Sequence, residues 1–131
     1  MRTRSAGGLA VAAGLVLFSV VLLSLIYIAS VFGGCEIVRL KEFPSPDGSK
    51  SVVVFRKECG ATVPYNTQAS IASKGVPFSP ERAPPFLIVR DIQDVHATWS
   101  GEKIVGVRLT PGASTVYKRD QNAGDVRIEY E

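Results

Sequence analysis

The sequence predicts an all-β domain, a small antiparallel sandwich or curled meander of six to eight strands, preceded by one N-terminal transmembrane helix. Three observations carry this. An uncharged apolar block, "LAVAAGLVLFSVVLLSLIYIASVF", runs from Leu9 to Phe32. Beyond it, short runs rich in β-branched and aromatic residues alternate with period two and are separated by proline and glycine turns. No stretch after Phe32 sustains a helical period. At 131 residues there is room for one domain at most. The chain divides into a basic tail (1–8), the helix (9–32), a hinge with a first extended segment (33–43) and the β domain (44–131).

The apolar block exceeds the roughly 20 residues a helix needs to cross a bilayer. Arg2 and Arg4 precede it, and no basic residue follows until Arg39. The positive-inside rule therefore leaves the N-terminus in the cytoplasm and everything after Phe32 outside. Two other readings of the same flanks stay open. A cleaved signal peptide shares the basic flank and apolar run, although its apolar region usually spans only about 7–15 residues. A lipoprotein signal would use Cys35 in "VFGGC" as its lipid-attachment residue, with Phe32 and Gly33 poor matches to the residues such signals carry.

Each strand is read from its own pattern. "GGCEIVRLKEF" opens as a hinge and a first extended piece. Ser45-Pro46-Asp47-Gly48 then has proline where a type I turn wants a fixed φ and glycine at its fourth position. "SVVVFRK" follows as a strand on composition. Further strands are expected at "TQASIAS" (67–73), "FLIVRD" (86–91), "DVHATWS" (94–100), "KIVGVRL" (103–109), "STVYKR" (114–119) and "DVRIEYE" (125–131). Ser100-Gly101-Glu102 is short enough to close a hairpin, and Thr110-Pro111-Gly112 breaks the next run. Trp99, Phe55, Val53, Ile104 and Ile128 are the expected core residues. "KGVPFSPERAPP" (74–85), with four prolines, reads as an exposed connection or, because extended proline-rich chain has little entropy left to lose, as a partner-binding segment.

Composition narrows the chemistry. Setting Arg2 and Arg4 aside from the 15 basic residues leaves 13 against 12 acidic ones. With no basic patch interleaved by aromatics, nucleic acid is a poor partner. One histidine and two distant cysteines make no metal-ligand motif, so neither metal nor cofactor is expected. Glycine-rich phosphate loops and nucleophile elbows are missing as well. A Cys59 nucleophile would need His96 as its base, yet His96 points with Thr98 away from the Val95, Ala97 and Trp99 face. Outside the cytoplasm, two cysteines in a small domain pair more often than they react, so a Cys35 to Cys59 disulfide is expected, with lipidation of Cys35 as its rival. Candidate interaction residues are Gly60, Ala61, Thr62, Tyr65 and Asn66 after Cys59, with Pro77, Phe78 and Pro80 in the proline-rich loop.

"SPDGSKSVVVFRKECGATVPYNTQASI" (45–71) resembles a group of small bacterial membrane-anchored or lipoprotein-like proteins. In that group SPDG, a strand, Cys-Gly-Ala-Thr and a Thr-x-x-Ser-Ile strand recur in order. "VHATWSGEKIVGVRL" and the closing "VRIEY" are similar too, so the likeness spans most of the outer domain. Val63-Pro64 departs from the group, where a second threonine is commoner. SPDG followed by a strand, and later a strand with Trp99, also looks like one β-propeller blade, which by itself speaks to sheet topology only. The group carries no established activity to this chain. The apolar block and its basic flank, together with the likeness to bacterial proteins, lead to the expectation of a single-pass protein of the bacterial inner (cytoplasmic) membrane with its C-terminal domain periplasmic or extracellular. Its expected role is a non-enzymatic protein-binding or structural module of the cell envelope, with the membrane and an envelope protein as partners. The alternatives are a lipoprotein lipidated at Cys35 and a Cys59-dependent envelope enzyme.

Overall fold

The computed structural model describes residues 6–60, 62–112 and 115–131. Arg2, Arg4, Ala61 and Ser114, all named above, lie outside the described residues. Two compact units emerge, one ending at Gly34 and the other running from Cys35 to Glu131.

The first unit is helix α1, Ala6–Phe32, 27 residues long. At 1.5 Å per residue it extends roughly 40 Å, more than the hydrocarbon core it would have to cross. Its large side chains from Leu9 to Val31 are apolar and exposed all round, as those of a membrane-crossing helix would be. The serines fit this reading because their hydroxyls donate to the helix's own carbonyls: Ser19 to Leu15 (2.9 Å), Ser24 to Val20 (2.8 Å) and Ser30 to Tyr27 (2.8 Å). Among the described residues α1 is the one helix long and apolar enough to span a membrane. Gly33 caps it through an N–H to Ala29 C=O bond of 2.9 Å. A Cβ at Gly33 would stand 2.5 Å from that same oxygen, which restricts the site to glycine.

Among the described residues the second unit contains nine strands: β1 Glu36–Pro44, β2 Lys50–Glu58, β3 Asn66–Ser73, β4 Leu87–Arg90, β5 Val95–Trp99, β6 Ile104–Leu109, β7 Val116–Arg119, β8 Asn122–Ala123 and β9 Val126–Tyr130. One sheet has the order β1-β2-β3-β4-β7 and the other β5-β6-β9-β8. The strand beyond the expected eight is β8, too short to carry any periodic signal. Pairing is antiparallel except between β6 and β9, which run parallel. Parallel neighbours need a long crossover. Here the chain supplies it by leaving the second sheet after β6, adding β7 to the first, and returning through β8.

The two sheets form a sandwich because their alternating apolar positions face one another. Val52, Val54, Ala69, Leu87 and Val89 come from the first sheet, and Val95, Ala97, Val105, Val107, Val126 and Ile128 from the second. Among the bonds that tie the layers at their margins, Trp99 Nε1 donates to Phe43 O (2.9 Å) and the Tyr130 hydroxyl donates to Asp120 O (2.7 Å). Burial pushes the Tyr130 phenol up to about 12. Of the expected core residues, Ile128 is central and Trp99 packs against the cluster. Ile104 is only half-buried and stands apart from it.

Val53 and Phe55 are buried on the other face of the first sheet, at 1% and 0% exposure. Strand pairing gathers Val53 and Phe55 with Ser70 and Gln68 of β3. On the other side, a bulge at Leu40 brings both Arg39 and Glu42 of β1 opposite them. The proline-rich segment covers this outer face. Phe78 packs edge-on against Phe55 with ring centroids 5.1 Å apart, and the Arg39 guanidinium lies 5.2 Å from the Phe78 ring. Strand β2 is thus buried on both faces, which is why "VVVF" is an unbroken apolar run rather than an alternating one.

Candidate functional site

Cys35 and Cys59 form a disulfide with their Cα atoms 4.1 Å apart. The strand register explains the pairing: Glu36 stands opposite Glu58, so the next residue outward on each strand is a cysteine facing a cysteine. Both sulfurs are occupied and neither is a free thiol. His96 is nowhere near them. Its ring lies 5.1 Å from that of Phe43, seven residues along β1 from Glu36 and therefore about 23 Å away. The Cys59 and His96 dyad considered above is not assembled. Among the described residues no group of three or more His, Cys, Asp or Glu side chains could hold a metal.

The Ser45 to Gly48 turn forms as expected, with Gly48 N–H donating to Ser45 O (2.9 Å) and Gly48 at φ +71°. Asp47 is its hub, accepting from the Ser45 hydroxyl (2.6 Å), the Ser49 hydroxyl (2.7 Å) and the Ser49 N–H (3.0 Å). Those bonds, the Ser45 hydroxyl first, hold its carboxyl down to about 2. All its partners are local, so the turn serves the β1–β2 hairpin.

The expected interaction residues separate into two places. Gly60 (φ +103°), Thr62 and Tyr65 belong to the turn joining β2 to β3, and Asn66 opens β3. Tyr65 is half exposed, with the Arg56 guanidinium 5.3 Å from its ring, and Asn66 Oδ1 accepts from Gln68 Nε2 (2.7 Å). Pro77, Phe78 and Pro80 belong to the segment over the outer face, where Phe78 is spent on packing against Phe55.

The feature that sequence reasoning missed lies along β3. Strand β4 pairs only with Asn66 to Ala69, whereas β2 pairs with β3 all the way to Ser73. Among the described residues, Ser70 to Ser73 therefore has a strand on one side and none on the other. The cause is legible afterwards. Pro84 and Pro85 precede β4, and neither carries an N–H, so β4 cannot extend backward along β3. The last upstream bond is Phe86 N–H to Ala69 O (2.9 Å).

Beside this half-strand opens a groove of about 360 Å³, whose lining includes Ile71, Ser73, Arg82, Pro84 and Pro85. Its charges are largely paired: Lys50 with Asp125 (2.6 Å) and Lys118 with Asp120 (3.1 Å). Lys118 also donates to Pro85 O (2.8 Å), fastening the proline pair to β7. Hydrogen bonding to Lys50 holds the Asp125 carboxyl below its usual range. Val76 N–H donates to Ser73 O (3.4 Å), but no described strand lies alongside, and a wall of paired charges and prolines beside such an edge suits an extended peptide that supplies a further strand. Comparison with protein families, with curated proteins and with solved structures finds no match for this chain.

Proposed function

We propose that this chain is a single-pass, membrane-anchored protein of the bacterial cell envelope whose β-sandwich binds an extended segment of a partner protein. The carrying observation is the stretch of β3 from Ile71 to Ser73, which has, among the described residues, no neighbouring strand on the side of the groove lined by Pro84 and Pro85. Strand addition at such an edge gains affinity from main-chain bonds and specificity from alternate side chains. The long apolar helix supports the anchor, and the positive flank of Arg2 and Arg4 supports a cytoplasmic N-terminus. The disulfide supports an oxidising compartment for the β domain. It also favours a retained anchor over lipidation, since a sulfur bound to Cys59 is not open to a thioether.

The test uses the full chain in its native membrane with a photo-crosslinking residue at Ser73 or, as a control, at Tyr117 on β7. The expected result is a discrete adduct from position 73 only, lost when Ile71→Pro removes an N–H on the side facing away from β2 while the thermal transition is retained. Identical adducts from both positions, or none from 73, would sink strand addition.

A further inference from the structure

Val63, Tyr65 and Ile92 are 45%, 50% and 58% exposed, and they share one end of the sandwich. Asp91 N–H donates to Tyr65 O (2.8 Å), stitching the loop before β5 to the turn before β3. That loop is built to hold Ile92 outward. The buried Thr67 hydroxyl donates to Asp91 O (2.8 Å) and accepts from Gln93 N–H (3.0 Å), fixing the residues on both sides of Ile92. Asp91 takes the left-handed conformation, φ +63°, uncommon for a residue with a Cβ. Next to it, the Arg56 guanidinium stands behind the Tyr65 ring while also pairing with Glu58.

This end is where the chain enters the β domain. The Cys35 to Cys59 bond closes it, and only Gly33 and Gly34 separate Cys35 from α1. Three Cα steps limit the reach from Phe32 to Cys35 to roughly 11 Å. Tyrosine and aliphatic side chains backed by an arginine are the types that settle at a bilayer interface, rings at headgroup level and cations snorkelling outward.

We propose that Val63, Tyr65 and Ile92 form a lipid-facing rim that dips into the bilayer interface and seats the β domain on the membrane. The proposal rests on the reading of α1 as a retained anchor. Ser73 lies at the opposite end of β3, so the rim and the strand-addition edge are separate surfaces.

The full-length chain is reconstituted in vesicles of phosphatidylcholine brominated along its acyl chains, which quench tryptophan on contact. Trp99 is the sole tryptophan and lies beside Phe43 at the far end, so wild-type emission should be the same in brominated and plain vesicles. Tyr65→Trp and Ile92→Trp, each with Trp99→Phe, should show blue-shifted emission that loses most of its intensity in brominated vesicles. If Trp99→Phe impairs folding, the same two variants are read with Trp99 in place, by difference from wild type. Tyr27→Trp in α1 tests the anchor separately. Quenching at 27 with water-like, unquenched emission at 65 and 92 overturns the rim and leaves the anchor standing. No quenching at 27 overturns the anchor and the rim together.

Discussion

The two faces of the first sheet are closed by different means. The inner face meets a second sheet, and apolar positions from both layers interlock in one cluster. The outer face meets no sheet: Val53 and Phe55 are sealed by a proline-rich segment that contributes one aromatic ring, Phe78. An inner face made by paired strands is held by ladders along its length. An outer face made by one segment depends on a few side chains, and it carries the one buried side-chain atom without a hydrogen-bond partner among the described residues, Ser70 Oγ. The difference shows that a small domain can bury both sides of a strand without a third layer, provided prolines lower the entropy the covering segment loses on docking.

The largest expected effect tests whether the outer face is a core in its own right. Phe55→Ala should cost about 3–5 kcal/mol, matching or exceeding the roughly 2–5 kcal/mol of Leu87→Ala on the inner face. Chemical denaturation of both variants decides it, and a cost under about 1 kcal/mol for Phe55→Ala would make the outer face a loose cover. Next in size is the link at the end of the β1–β2 hairpin. Replacing Cys35 and Cys59 together by Ser should lower stability by about 3 kcal/mol for a loop of 24 residues.

Phe78→Ala should have a smaller effect, about 1–2 kcal/mol, because the ring is half-buried. The change should also speed amide exchange at Val53 and Phe55 while leaving Val105 and Val107 protected. Equal acceleration on both faces would show that the covers are not independent. Acid probes the β1–β2 turn. The Asp47 carboxyl is held near 2, below its ordinary 3.8, so its stabilising bonds are complete above about pH 4 and are lost as pH falls through 2. Asp47→Asn should remove that part of the acid sensitivity, measured as the slope of melting temperature between pH 4 and 2. The smallest effect is at Ser70: Ser70→Ala removes an unpartnered buried hydroxyl and should leave stability unchanged or slightly raised.

Much of this architecture was open to local reading. The Ser45 to Gly48 turn forms where proline and glycine dictate it, and the Ser100 to Glu102 link closes the β5–β6 hairpin. Val95 and Ala97 face inward while His96 and Thr98 face out, as period two requires. The candidate site was less legible. Residues 60–66 and 77–80 were grouped by their turn-rich composition, yet composition says nothing about which side of a sheet a loop crosses. Phe78 reads as a candidate interaction residue in sequence and packs against Phe55 in three dimensions. The open half of β3 escaped notice because an edge is a property of the neighbour: it exists because β4 begins at Leu87, beyond two prolines, and not because of anything in Ser70 to Ser73.

The sequence by itself determined the apolar helix, the β class of the rest, the strand positions and the turns, because each depends on residues within a few positions of one another. Only the tertiary structure decided which strands neighbour which. The Cys35 to Cys59 bond is already expected from there being two cysteines in a small domain, whereas the parallel β6–β9 pair, the double burial of β2 and the gap beside β3 all join residues distant in the chain. Such contacts are selected by the summed packing of whole faces, and period-two alternation is the same whichever strand lies alongside.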